Sequence, residues 1–321
     1  MNTQGRKGVY FPYFRGKQFE LILLREQQAL LARSSFVPVI EPVTDSLNSV
    51  KKTLQSLLKS ETMVSLIINP ANGDLKNDGS QVERMVDEDK YVESDCFYVG
   101  YIIDSTTTID QIRAILAKYT QVMLIHNGFA LGRELSAIID ASGCNVTNLF
   151  IENQSPRLYR NHYKGNKILN RDGFKKCFLN KEYPDVESFS DLHCTYVDEG
   201  LDGFSDFLIN GSEYVEAGGP ASTVTIHLTF VDPELDNQMF IYHFKSDRTE
   251  GISDPGGKFL EALSKLVNVV SLDNSKILKT EAVKEYLQLF EQEHFPGLGY
   301  VKKLSMQHHL DTLSDFLRPK D

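Results

Sequence analysis

The chain is poor in the features that most directly assign a function. Cysteine is scarce: Cys96, Cys144, Cys177 and Cys194 are the only four, and none forms a C-x-x-C pair. So wide a scatter suggests neither a zinc site nor a disulfide framework, and fits incidental thiols in a reducing cytosol. Positive charge is also in deficit, with 34 Lys and Arg against 44 Asp and Glu and a formal net charge of -10. That balance argues against a dominant electrostatic grip on nucleic acid, which needs a concentrated basic surface. No apolar run approaches the roughly 20 residues that cross a bilayer. The opening MNTQGRKGVYFPYFRGKQFE lacks the apolar core of a signal peptide, so the expectation is a cytoplasmic protein with no membrane association. Nucleophile elbows, H-E-x-x-H and kinase signatures are missing, and the turn YFRGKQFE carries one glycine where a dinucleotide fingerprint carries three. Motifs therefore name no reaction.

What the chain does have is a beat. Apolar, β-branched-rich runs recur along it and nearly every one breaks off at a polar residue. VPVIEPV ends around Glu41, MVSLIINP at Asn69, FYVGYIID at Asp104, and QVMLIHN at His126 and Asn127. TNLFIEN follows, ending at Glu152, then KILNRD at Arg171 and Asp172, and SDFLIN, which contains Asp206. Continuous apolar runs are the mark of strands buried on both faces, as in parallel sheets wrapped by helices. Helical periodicity in QFELILLREQQALLAR, SLNSVKKTLQSLLKS and STTTIDQIRAILAKY fills the intervals. The pattern predicts an α/β fold, a TIM-like (β/α)8 barrel over a single domain 1–321. An aperiodic insertion over 175–203, a β-hairpin within 212–250 and C-terminal helices over 257–317 complete it. In such a barrel the carboxyl ends of the strands ring one shared site.

The candidates follow from that geometry. Glu41, Asp104 and Glu152 are the carboxylates for general acid and base work, and His126 the proton shuttle near neutral pH. Arg15, Lys17 and Arg171 are placed to hold an anionic substrate, with Glu20, Asp172 and Asp206 beside them. Carboxylates with His and Asn also suit a hard cation such as Mg²⁺ or Mn²⁺. Each has a plain structural reading alongside: Asp104 caps the next helix, Glu41 sits in a buried ion pair, and His126 is a satisfied core histidine. Arg15-Gly16-Lys17 reads either as an anion-binding turn or as a surface network with Glu20. Glu216–Ala221 is a second candidate phosphate loop, without the Walker lysine. Asp254 with Pro255 reads as a helix cap. His227 and His243 face each other across the hairpin, open to cross-strand packing or a metal, and His308-His309 are expected on the surface.

The opening YFPYFRGKQFELILLRE followed by VPVIEPV resembles the beginning of the beta-protein-like ("beta family") proteins of bacteria and phages. NRDGF at 170–174, DGFSDFLI at 202–209 and GGPASTVTIHL at 218–228 are similar to that group too. The resemblance implies a TIM-like barrel and singles out Tyr13, Arg15, Lys17, Glu20, Glu41, Asp172 and Asp206. It also implies a setting among phage and defence-type genes, hence an antiviral role with a partner from a neighbouring gene. Two functional expectations stand side by side. One is a hydrolase acting on a phosphorylated or nucleotide-like small molecule. The other is a non-catalytic barrel that senses a ligand or binds a partner protein through the same rim.

Overall fold

The computed structural model describes residues 8–76, 78–216 and 222–318. Its strands and helices, in chain order, are β1 (Tyr13–Phe14), α1 (Gln18–Glu26), α2 (Gln28–Arg33), β2 (Val39–Ile40), α3 (Asn48–Lys59), β3 (Val64–Ile67), α4 (Ser80–Glu88), β4 (Phe97–Ile103), α5 (Ile109–Lys118), β5 (Gln121–His126), α6 (Gly132–Ser142), β6 (Asn145–Ile151), α7 (Arg157–Arg160), β7 (Lys167–Asn170), β8 (Val186–Ser190), α8 (Leu192–Thr195), β9 (Gly203–Ser205), β10 (Thr225–Asp232), β11 (Gln238–Lys245), α9 (Pro255–Val270), α10 (Glu281–Glu291) and α11 (Leu298–Phe316). They fall into two compact units. The first runs to Arg171 and resumes over Thr195–Phe207; the second holds Asp172–Cys194 and the chain from Leu208.

The first unit is the barrel. Strands β1 to β7 and then β9 pair in sequence, every pair parallel. The ring closes through a parallel bridge between Tyr10 and Phe204, where Phe11 N–H donates to Phe204 O at 2.9 Å and Tyr13 N–H to Asp206 O at 3.0 Å. Parallel neighbours need crossovers, and helices supply them. Alternation along the strands fills the lumen from one face of each: Phe11, Tyr13, Val39, Ile67, Ile125 and Leu149 are among its members. Each such side chain, fully buried, contributes about 2 kcal/mol from water exclusion. Towards the amino-terminal end the filling stops, leaving a cavity of about 220 Å³ whose floor includes Phe11, Val37 and Ile168.

Two strands differ from their expected limits. Pro12 has no N–H to give, so the run GVYFPYF pairs regularly only over Tyr13–Phe14. The eighth barrel strand is Gly203–Ser205, ahead of the apolar SDFLIN run, and Leu208 leaves the extended region at φ 51°. The first carboxyl-end residue there is still Asp206.

The second unit is a three-stranded antiparallel sheet in the order β10-β11-β8, backed by helices. The hairpin pairs Thr225 with Lys245 through to Asp232 with Gln238. The segment expected to be aperiodic supplies the third strand, β8, because alternation in VESFS is too short to register as a period. Val224, Ile226, Leu228 and Phe230 pack with Phe259, Leu263 and Leu266 of α9 and with Tyr286 of α10. Asp254 caps α9, accepting Gly257 N–H at 2.9 Å ahead of Pro255 at N1. His308 and His309, expected on the surface, are fully buried. His308 Nδ1 meets Thr280 Oγ1 at 2.9 Å and its Nε2 meets Thr229 O at 2.8 Å, while His309 Nδ1 lies 3.0 Å from Thr229 Oγ1. Of the candidate loop 216–221, Ala217 to Ala221 lie outside the described residues. Among the described residues no helix is long and apolar enough to cross a membrane.

Lys258 in α9 is 2% exposed and its ammonium donates to three main-chain carbonyls: Ser222 O at 2.6 Å, Glu250 O at 3.0 Å and Gly251 O at 2.6 Å. Replacing it with Met strands three acceptors at once. Lys258→Met is expected to lower stability by about 3 kcal/mol, read as a fall in denaturation midpoint at unchanged denaturant slope; an unaltered midpoint would show that the cage is not needed.

Candidate functional site

Strand parity decides which side chains reach the carboxyl-end mouth of the barrel. Tyr13, Val39, Ile67, Ile102 and Ile168 line the lumen, so Arg15, Glu41, Asn69, Asp104 and Asn170, two residues further on, continue the same inward rows. Glu41 is completely buried. Its Oε2 accepts from Tyr13 OH at 2.8 Å and from Arg15 Nη1; its Oε1 accepts from Ala71 N–H and Asn72 Nδ2, both at 2.9 Å. One carboxylate therefore ties together the ends of β1 and β2 and the loop after β3. Burial and then Glu41 push the Tyr13 hydroxyl well above its ordinary pKa. Burial opposes the charge on Arg15, but Tyr13 and Glu41 outweigh it and raise the pKa. The guanidinium lies 5.1 Å from the ring centres of both Tyr13 and Phe207, so two aromatic faces hold it in place.

The turn that follows is shaped around this pair. Gly16 has φ 63°, and a Cβ there would lie 3.0 Å from the Glu41 carbonyl oxygen. Lys17 takes the N-cap position of α1 and its N–H reaches Glu20 Oε2 at 3.4 Å. Glu20 is buried and adds its negative field at Arg15. Arg15, Glu20 and Glu41 are thus brought together, beside Lys17.

A second cluster stands at the ends of β6 and β7. Arg171 grips Glu152 with Nε (2.9 Å to Oε2) and Nη2 (2.7 Å to Oε1), and Nη2 also reaches Glu199 Oε1 at 3.0 Å. These bonds to Glu152, more than any other cause, raise the pKa of Arg171. Arg160, in α7, lies in the field of Glu152, Glu199, Arg171 and Arg157, and burial lowers its pKa. Asn170 is 1% exposed; its Nδ2 donates to Ser205 Oγ at 2.7 Å, while its Oδ1 is buried with no hydrogen-bond partner among the described residues.

Other candidates are engaged elsewhere. Asp104 serves its own turn, accepting from Thr106 N–H at 2.8 Å, Thr106 Oγ1 at 2.7 Å and Thr107 Oγ1 at 3.2 Å. Partial burial works against its charge, yet those bonds hold the carboxyl below the usual range. Asn69 clamps Ile102 through its N–H and its carbonyl, both at 2.8 Å. Asp206 points to the face opposite Phe207 and accepts from Tyr10 OH at 2.7 Å. Asp172 lies in the second unit and accepts Phe174 N–H at 3.0 Å and Ser212 N–H at 2.7 Å. His126 is on the outward face of β5, fully buried against Phe150 and Tyr163. Its Nε2 faces Asn148 Oδ1 at 3.0 Å, which sets that nitrogen as the protonated one, so Nδ1 accepts from Tyr159 OH at 2.7 Å. Burial drives its pKa down to about 3.

Among the described residues no group of three or more His, Cys, Asp or Glu is placed to hold a metal ion. His227 and His243 instead bond to each other, Nδ1 to Nδ1 at 2.7 Å, with His243 Nε2 on Glu187 Oε1 at 3.1 Å. Sequence reasoning missed Asn72, Arg160, Asn170 and Glu199. Asn72 and Glu199 lie in loops without a period, Arg160 carries no motif, and Asn170 opens the NRDGF segment without being singled out.

The arrangement defines a closed (β/α)8 barrel with a polar carboxyl-end rim. No family model and no curated protein sequence matches the chain. Among solved structures it is similar to a truncated form of 3-deoxy-D-arabino-heptulosonate 7-phosphate synthase from Thermotoga maritima, at 11% identity and a TM-score of 0.37, over 62% of this chain and 75% of that one.

Two outcomes test the site's physics. Glu41→Gln leaves the Arg15 guanidinium buried without its counter-charge, and is expected to cost about 3–5 kcal/mol, seen as a large fall in Tm. A Tm within two or three degrees of the parent would mean that Glu41 is dispensable to the fold. His126 has a folded pKa near 3 against about 6.5 unfolded, so its contribution is intact above pH 6.5 and drains away as pH falls towards 3. By pH 5 the loss from this residue is on the order of 2 kcal/mol. His126→Gln should be weaker than the parent at pH 7 yet lose less between pH 7 and 5; parallel pH profiles would count against it.

Proposed function

We propose that the barrel is a ligand-binding module that recognises a small polar molecule at its carboxyl-end rim, over β6 and β7, without turning it over. The observation that carries this reading is the saturation of Glu41: four donors occupy a carboxylate with no exposure to solvent. A general acid or base must exchange a proton with substrate, and a carboxylate so enclosed has no lone pair left to offer. Asp104 is committed to its turn and Glu152 to Arg171. The hydrolytic reading therefore has the weaker support, although the same rim would serve it.

Recognition, by contrast, is provided for. The Asn170 Oδ1 is an acceptor in a dry place, and leaving it unmet costs about 1–3 kcal/mol that a ligand N–H or O–H recovers. Stacked Arg15 and clamped Arg171 are rigid, so little side-chain freedom is lost when a ligand docks. The resemblance to the beta family belongs to this proposal, with a defence-type setting in which ligand occupancy is passed to a protein partner.

A panel of nucleotides, sugar phosphates and amino acids screened by thermal shift, with product analysis of every hit, tests the reading. At least one compound should raise the Tm without being consumed, and Asn170→Ala should weaken its binding about tenfold. Steady turnover of a hit, lost in Glu152→Gln, would replace this reading with the hydrolase.

A further inference from the structure

Arg160, beside the rim, has a buried hydrogen-bond donor left over. It closes α7, a four-residue helix that follows β6, and its backbone N–H is bonded to Pro156 O at 3.1 Å. Its guanidinium Nη1 is buried and has no hydrogen-bond partner among the described residues. The obvious acceptors nearby are already taken: both Glu152 oxygens and Glu199 Oε1 are engaged by Arg171. The local charge is unbalanced as well. Arg160 stands in the field of two carboxylates, Glu152 and Glu199, and of two further guanidiniums, Arg157 and Arg171. Desolvating a cationic N–H without an acceptor is costlier than leaving a neutral one unmet. An oxyanion supplies both what the hydrogen bond lacks and what the charge lacks. A water molecule supplies only the first.

We propose that Arg160 and Arg157 form a phosphate subsite at the ends of β6 and β7, receiving the phosphate group of a phosphorylated small molecule. Arg160 provides the fixed, dry donor. Arg157 is exposed and supplies a second guanidinium from the solvent side. The planar fork of arginine suits tetrahedral oxyanions, whose several oxygens accept from two guanidiniums at once. Arg171, fastened to Glu152 and Glu199, contributes its field and keeps those carboxylates turned away from the incoming anion. Neither Arg157 nor Arg160 stands at a strand end, so this pair is separate from the Arg15-Gly16-Lys17 turn, where Glu41 and Glu20 surround the cation. The subsite rests on the ligand-binding reading and deepens it by naming the ligand's class.

Inorganic phosphate tests the subsite alone, apart from the rest of any ligand. The full chain is titrated with sodium phosphate and, separately, with phenyl phosphate, each against sodium chloride at matched ionic strength, by thermal shift and ³¹P NMR line broadening. Both should bind saturably, and Arg160→Gln should weaken both by about tenfold or more; Arg157→Gln should weaken them less, because an exposed pair contributes less. Arg160→Lys, which keeps the charge and loses the fork, should resemble Arg160→Gln and covers the case in which the glutamine variant fails to fold. Lys90→Gln, which removes an exposed surface cation, should leave phosphate affinity unchanged. Phosphate binding that survives every substitution at Arg160, or no saturable binding of either probe, overturns the proposal and leaves water as the partner of Nη1. Phosphate binding lost with Arg160, while no compound of the metabolite panel binds through Asn170, keeps the subsite and sinks the wider reading instead.

Discussion

The buried carboxylate of Glu41 is the constraint on which the mouth of this barrel depends. Its four donors come from the end of β1, from Arg15 beyond it and from the loop after β3. Taking a carboxylate out of water is expensive, and only a full set of charge-assisted bonds offsets the cost. The geometry of its neighbours is fixed as a consequence. Arg15 cannot leave without stranding Glu41; Tyr13 cannot ionise beside it; Gly16 must adopt a left-handed turn because a Cβ would press on the Glu41 carbonyl. The same logic recurs across the rim, where Arg171 spans Glu152 and Glu199. Polar groups at the strand ends are here mostly a means of closing the barrel's top.

That outcome explains what the sequence could and could not reveal. The barrel was legible because strands buried on both faces must be apolar throughout, and FYVGYII, QVMLI and VSLI show it. The same uniformity conceals parity. A strand that alternates in polarity tells which residues face inward; a uniformly apolar one does not, and one residue of error moves a side chain to the other face. His126 and Asn127 are the case in point. The run ends at both, and the histidine is the one that faces outward, into Phe150, Tyr159 and Tyr163.

Partnership is the second thing a linear reading hides. Glu199 lies 28 residues from Arg171, and Asn72 lies 31 from Glu41, with no period to connect them. Asp104 was legible, since an Asp ahead of a threonine run is a local turn signal and Thr106 and Thr107 answer it within three residues. α11 failed for another reason. Its polar residues are spread around the whole helix, so no apolar stripe marks which side is buried, yet His308 and His309 both are. Their burial is stabilised by threonine hydroxyls and a carbonyl of other elements.

The separation of roles along the rim has a physical basis. A group that holds a fold together must be saturated, because an unmet buried donor or acceptor costs free energy in every molecule at all times. A group that recognises something else must be the reverse: placed firmly, dry, and unmet until the ligand arrives. Glu41 and Asn69 are of the first kind. Asn170 Oδ1, at the end of β7, and Arg160 Nη1, in α7 after β6, are of the second. Residue type alone does not sort them, since an acid at a strand end looks catalytic whether or not its lone pairs are filled. Only the count of bonds does, and it is on that count that we propose recognition over β6 and β7 and read the carboxylates that resemble a catalytic set as structural.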